Sequence, residues 1–304
     1  GSAVQMGSAI SDYFSDRFNL SVEDRRVLII LGISAGFASV FGTPLAGAIF
    51  SLEILVLQKW NWKALIPSVL VAFIADFACD MTLVEHSNYV IEVVPIISVE
   101  NLGWALFCGL LFGGVAYFFT FATKNFGILF KKMISTPYLR PAIGGVVLAV
   151  AVYFVGTTKY IGLGVPYIVA AFDTPVDWYD FLFKLLFTAF TIGAGFKGGE
   201  VTPLFYIGAT FGAALLFFFP GIPLPQPLLA GMGFVAVFSG ATKTPIACTI
   251  MGLELFGMDG GVFIGVSCFV AYLCSGHAGI YSSQRINKKK YSLTFFSSFR
   301  NKKT

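Results

Sequence analysis

The segment Gly198-Gly199-Glu200-Val201-Thr202-Pro203-Leu204-Phe205 holds the residue types and spacing best suited to chemistry in this chain. Lys197 and Glu200 stand at its entry, and no charge follows until Lys243. A glycine pair followed by a proline at the first helical position marks a break where a helix starts. A helix that starts inside a membrane leaves its first four N–H groups and the positive end of its dipole unpartnered. Such an end can receive an anion, and transporters build midplane sites from discontinuous helices of this kind. A connecting loop at the membrane surface is the other reading of the same residues.

The elements that must position this segment are membrane helices. Only 12% of the 304 residues are charged, against about 25% in soluble domains. The charge-free runs Val27–Leu52, Asn101–Thr123, Val201–Thr242 and Gly260–Gln284 meet or exceed the roughly 20 residues of a spanning helix. Gly1 to about Phe18 reads as a short apolar helix, Val27–Leu57 as two helices broken at Gly42-Thr43-Pro44, and Ala64–Phe77 and Pro141–Phe172 as further apolar elements. Cys79, Cys108, Cys248, Cys268 and Cys274 show neither disulfide nor metal spacing and read as small hydrophobes in apolar runs.

Charge sets the topology. Lys124, Lys131, Lys132 and Arg140 occur without an acid, as do the seven bases of the tail after Gln284. By the positive-inside rule both regions face the cytoplasm. The acid-only stretches (Asp76, Asp80, Glu85, Glu92 and Glu100, then Asp173, Asp177 and Asp180) face outside. The net +4 charge therefore speaks of orientation in a plasma membrane, not of nucleic acid.

The chain contains an internal repeat. Gly42-Thr43-Pro44-Leu45-Ala46-Gly47-Ala48-Ile49-Phe50-Ser51-Leu52-Glu53-Ile54 matches Lys243-Thr244-Pro245-Ile246-Ala247-Cys248-Thr249-Ile250-Met251-Gly252-Leu253-Glu254-Leu255 at one offset, 244 − 43 = 201. The same ungapped register pairs Gly7 with Gly208, Gly32 with Gly233, Ala35 with Ala236 and Phe37 with Phe238, and lays Ser2 on Pro203. Two homologous halves suggest a transporter with its site at the repeat interface. The expected organisation is residues 1–139 as the remainder of a first transmembrane repeat, 140–284 as a second, and 285–304 as a basic cytoplasmic tail. The stretch from Arg140 to Gly199 has no counterpart before Gly1, so an equivalent block is expected upstream.

These residues resemble the CLC family of anion channels and anion/proton exchangers. The resemblance rests on the repeated Thr-Pro-x-Ala block ending in a glutamate, a Gly-x-x-x-Pro helix start at Gly199–Pro203, and a late tyrosine, Tyr281. It covers essentially the whole chain. It implies an all-α polytopic membrane fold, an inverted repeat with discontinuous half-helices, and a homodimer with one pore per subunit. Gly195-Phe196-Lys197-Gly198-Gly199-Glu200-Val201-Thr202-Pro203, Gly1-Ser2-Ala3-Val4-Gln5-Met6-Gly7 and Ser275-Gly276-His277-Ala278-Gly279-Ile280-Tyr281 are most similar to the fluoride/proton antiporter branch. The resemblance implies anion contacts at Gly199, Glu200, Val201, Thr202, Tyr281, Gly1 and Ser2. It places the family's gating glutamate just before Gly1, outside this sequence. Chloride exchangers often carry two acids where this chain has Glu53-Ile54, and Ile54 cannot relay a proton.

The chemistry is consistent with that resemblance. Backbone N–H groups at Glu200 and Val201 with a helix dipole behind them accept a small hard anion, and the Tyr281 hydroxyl adds a neutral donor. Desolvation and a neighbouring anion both favour a neutral, hydrogen-bond-donating carboxyl, so Glu200 is expected to couple proton movement to fluoride. Several residues carry a second reading: Glu200 as the ion-pair partner of Lys197, Tyr281 as an interfacial aromatic, and Thr202 as a helix-start residue instead of an anion donor. Glu53 and Glu254 read as helix caps or interface partners in preference to proton carriers. His277 reads as a turn or packing residue, and His86 has no partner pattern.

The expected function is secondary export of fluoride in exchange for protons, with lipid as the surrounding partner and no cofactor, metal or catalytic group. The alternative is a chloride or nitrate exchanger or channel of the same family. An intramembrane enzyme would need paired ionisable groups within spans, which the sequence does not supply. The helix-break motif argues against a non-transporting scaffold.

Overall fold

The computed structural model describes residues 1–57, 61–82, 86–281 and 285–286. Glu85 and most of the basic tail lie outside them. The described residues form helices joined by turns, with one short parallel pairing of β1 (Val56–Leu57) and β2 (Arg285–Ile286). The chain opens with α1 (Ser2–Arg17), α2 (Val22–Phe41) and α3 (Pro44–Leu55). Ser21 caps α2 by accepting the Asp24 N–H, and its hydroxyl donates to the Asp24 carboxylate at 2.7 Å. α2 stops at Gly42, whose φ of 63° is left-handed, and Pro44 then starts α3. The predicted break at Gly42-Thr43-Pro44 is therefore present.

A 3-10 turn (Trp62–Ala64) leads into α4 (Leu65–Asp80), and Ser98 caps α5 (Val99–Met133). At 35 residues α5 is about 52 Å long, longer than a hydrocarbon core of about 30 Å, and its charge-free part is Asn101–Thr123. The run read as Pro141–Phe172 divides into α6 (Leu139–Val155) and α7 (Val165–Asp173), separated by three left-handed glycines, 156, 162 and 164. α8 (Asp180–Gly193) follows. Its first residue, Asp180, is 1% exposed and held by Lys159 and the Tyr160 hydroxyl.

The Val201–Thr242 run is likewise two helices, α9 (Val201–Phe218) and α10 (Gln226–Thr242), because a stretch with three prolines intervenes. α11 (Pro245–Phe256) and α12 (Gly261–Cys274) complete the second half. Among the described residues, three segments are long and apolar enough to cross a membrane: Trp62–Asp80, Val99–Met133 and Val201–Phe218. α3 and α11, at 12 residues each, reach only about 18 Å and are half-helices. All five cysteines are free. Cys108, Cys248 and Cys268 are buried as expected, while Cys79 is partly exposed and Cys274 exposed.

The repeat appears as matched geometry. A methyl group on Gly7 would lie 2.1 Å from the Gly32 carbonyl oxygen, and one on Gly208 would lie 2.1 Å from that of Gly233. The α1–α2 and α9–α10 crossings therefore both require glycine. The halves meet through α3 and α11. Glu53 accepts the N–H groups of Ile246 (3.3 Å) and Ala247 (2.9 Å), while Glu254 accepts those of Leu45 and Ala46, both at 2.8 Å. Each glutamate, near the end of one half-helix, caps the start of its repeat mate. This exchange is reciprocal, as a two-fold relation demands, and it makes α3 and α11 antiparallel. The repeat equivalents Phe37 and Phe238 face each other near that axis, with ring centroids 6.4 Å apart.

Candidate functional site

α9 starts where the sequence placed a helix break, although Pro203 is its third residue and not its first. Gly195 (φ 98°) turns the chain out of α8, and Glu200 occupies the N-cap position of α9. No side chain caps this end, so the N–H groups of the first turn remain available. Val201 is 1% exposed, and Thr202 follows it half-buried in the same turn.

The start of α1 arrives at the same point. Gly1 is its N-cap, again without a side-chain cap. A methyl group on Gly1 would lie 2.9 Å from Gly199 Cα and 3.2 Å from the Glu200 nitrogen. One on Gly199 would lie 3.6 Å from both the backbone nitrogen and the hydroxyl of Ser2. Two uncapped helix N-termini thus converge, and at Gly1 a side chain would force the backbones apart, whereas at Gly199 a methyl group would sit at ordinary contact distance. Their positive dipole ends point into one place, which anions favour.

Tyr281 borders this region. Its ring packs against the main core, its hydroxyl is buried, and among the described residues that hydroxyl meets no hydrogen-bond partner. A buried hydroxyl without a partner costs about 1–3 kcal/mol, a cost that a bound acceptor would remove. No ion pair within 4 Å joins Glu200 to Lys197, so that alternative for Glu200 is absent from this structure. A cavity of about 280 Å³ opens beside the loop, lined by Lys197, Gly198, Gly199 and Pro203 on one side and by Tyr160 and Gly162 among others across from them.

The structure therefore brings Gly1, Ser2, Gly199, Glu200 and Val201 together. Glu53 and Glu254 sit at the repeat interface as caps, which favours their structural reading. His86 has partners after all: its Nε2 lies 3.1 Å from the Ser39 carbonyl, and its ring covers Gly42.

Sequence reasoning passed over two buried lysines. Lys184 donates to the carbonyls of Tyr160 and Gly162 and lies 5.0 Å from the Tyr206 ring centroid. Lys243 donates to Gly240 and Ser275. The available signal was a lone lysine in an apolar run, and for Lys243 a mismatch with Gly42 in the repeat.

A family model described as "Voltage gated chloride channel" matches residues 1–276. A "Chloride/fluoride channel protein" of Pseudomonas syringae pv. tomato is 47% identical over 298 residues, covering 96% of this chain and 65% of the relative. An "H(+)/Cl(-) exchange transporter ClcA" of Vibrio cholerae is 25% identical over 270 residues, covering 84% of this chain and 57% of the relative. Among solved structures, the crystal structure of a CLC-type fluoride/proton antiporter superposes with a TM-score of 0.89 at 35% identity, covering 93% of this chain and 71% of that one. The chain thus spans somewhat less than two thirds of the length of these two curated relatives.

Proposed function

The chain belongs to the voltage gated chloride channel family, and from that premise we propose that it forms the larger part of a fluoride/proton antiporter. The observation that carries this reading is the meeting of two uncapped helix N-termini at Gly1-Ser2 and Gly199–Val201. The 35% identical antiporter of the same fold supports the choice of fluoride.

In this mechanism fluoride sheds water only where fixed donors replace it. The N–H groups of Val201 and Thr202 and the backbone at Gly1-Ser2 supply them along the dipoles, and the Tyr281 hydroxyl supplies a neutral one. None of these is a cation, so the ion is bound without being trapped. Glu200 carries the proton: as the neutral acid it donates toward the anion, and as the carboxylate it expels it. Fluoride leaves as a proton enters, with no ATP. The cavity beside Lys197 provides the aqueous approach. Residues 1–139 and 140–284 act as the two repeats around this point, and two copies of the protein form a dimer with separate pores.

The test is ion efflux from liposomes carrying the complete protein, with fluoride and chloride electrodes read alongside pH. Fluoride should leave far faster than chloride with proton uptake into the vesicles. Glu200→Gln keeps a hydrogen-bond donor but cannot release a proton, so it should slow the coupled exchange by about tenfold or more. Chloride efflux as fast as that of fluoride would move the assignment to a chloride exchanger or channel, and unchanged coupling in Glu200→Gln would remove Glu200 from the mechanism.

A further inference from the structure

Lys243 ends α10 in a conformation that lysine does not favour. Its φ of 66° and ψ of 36° are left-handed, and it is one of two described non-glycine residues with positive φ. The repeat gives the comparison: 243 − 201 = 42, and Gly42 holds the same backbone angles, φ 63° and ψ 33°, at the end of α2. The first half uses the residue that pays nothing for this conformation, whereas the second holds a β-carbon there against a cost of about 1–2 kcal/mol. The side chain must return something for that strain.

Lys243 is 1% exposed. Its Nζ donates to the carbonyls of Gly240 (2.6 Å) and Ser275 (2.9 Å) and to the Ser275 hydroxyl (2.8 Å). Three acceptors match the three N–H bonds of an ammonium. The Ser275 hydroxyl passes its own proton on to the Tyr272 carbonyl, so that part of the network is satisfied. The acceptors belong to the C-terminal ends of α10 and α12, both negative dipole ends. Gly240 makes the meeting possible, since a methyl group there would lie 3.2 Å from Ser275 Cβ and 2.8 Å from Ala116 Cβ.

Ser275 is also where the chain leaves α12 toward Tyr281. It turns at Gly276 (φ 70°), and the Ile280 N–H donates to the Ala241 carbonyl at 3.0 Å. The segment 275–281 is therefore fastened at both ends to the last turn of α10, by the Lys243 ammonium at Ser275 and by a backbone bond one residue before the tyrosine. We propose that Lys243 is a positioning residue for the anion pathway, a buried ammonium that clamps the Ser275–Tyr281 segment so that the Tyr281 hydroxyl is aimed at the anion. This rests on the pore reading of Tyr281 given above.

A double-mutant cycle on fluoride efflux from liposomes, with the complete protein, tests it. Lys243→Gly reproduces the first-repeat residue, relieving the backbone while deleting the clamp. It should slow fluoride efflux by about tenfold, the effect of one lost hydrogen bond to an anion, and lower the fluoride-to-chloride ratio. In a Tyr281→Phe background the same change should add less than about twofold, because the hydroxyl it aims is already gone. Lys243→Arg should recover part of the rate. Ser275→Ala, a small deletion of one acceptor that keeps the protein testable if the lysine variants fail to fold, should shift rate and selectivity in the same direction. Equal losses in both backgrounds, or wild-type rate and selectivity in Lys243→Gly or Ser275→Ala, overturn the proposal alone. A Tyr281→Phe variant that transports like the wild type overturns the pore reading and the proposal with it.

Discussion

α1 and α9 are repeat mates with opposite surroundings. Both start at an uncapped end beside Gly199, and both cross the next helix at a glycine pair with the same 2.1 Å approach. Yet between Val201 and Leu215 every α9 residue except Thr202 is buried, whereas α1 buries only Val4, Ser11 and Ser15. Its Met6, Ile10, Phe14 and Phe18 are exposed. α9 packs on α7, α8 and α10, while α1 packs chiefly on α2. The repeated sequence preserves the contact within each helix pair, and the neighbours beyond the pair decide burial. The helices that cover α9, α7 and α8, come from the stretch between Arg140 and Gly199, and no described element stands before α1 to match them.

Substitutions in mated positions can break or sharpen this comparison. The largest effects should come from Gly208→Val and its mate Gly7→Val. Overpacking costs about 1–3 kcal/mol and sometimes more. Both glycines face a carbonyl oxygen at the same 2.1 Å, so neither crossing has room for valine. Melting in detergent should therefore fall for both variants, and an unchanged midpoint for either would mean that its crossing does not depend on glycine.

The next effect concerns the reciprocal caps. Removing a cap costs about 0.5–2 kcal/mol, and Glu53→Ala should lie at the upper end because Glu53 is 7% exposed and leaves its N–H partners dry. Glu254→Ala, at the less buried cap, should cost less. The reverse order in the same melting assay would show that exposure does not govern these caps. Of similar size is Gly42→Ala, expected to lose about 1–2 kcal/mol from its left-handed backbone alone. His86 adds to this, since its ring lies 3.1 Å from the new methyl group. A neutral outcome would mean that the α2 end relaxes freely and would weaken the contrast with Lys243.

Much of the molecule was legible beforehand because its signals are local. Glycine and proline marked the breaks at Gly42-Thr43-Pro44 and at Gly199–Pro203, and both breaks are present. The 201-residue offset read from matching residues reappears as matched glycine crossings, matched caps and the facing rings of Phe37 and Phe238. The splits of Val201–Thr242 and Pro141–Phe172 were missed, since a count of charge-free residues does not register prolines or left-handed glycines. The pairing of Asp180 is not legible in the sequence, because its partners, Lys159 and Tyr160, lie on the far side of α7 in the chain.

The sequence by itself determined a membrane fold, its repeat, its helix breaks and the family whose motifs it carries, because hydrophobic length, backbone stiffness and repetition are properties of neighbouring residues. Only the tertiary structure decided what those pieces meet. It set Gly1 against Gly199, gave Glu53 and Glu254 each other's helix starts some 200 residues away, and turned Lys243 from an isolated charge into the fastening of the tyrosine segment. Such contacts follow from helix packing in three dimensions, where a carboxylate or an ammonium takes whichever dipole end the fold brings within reach.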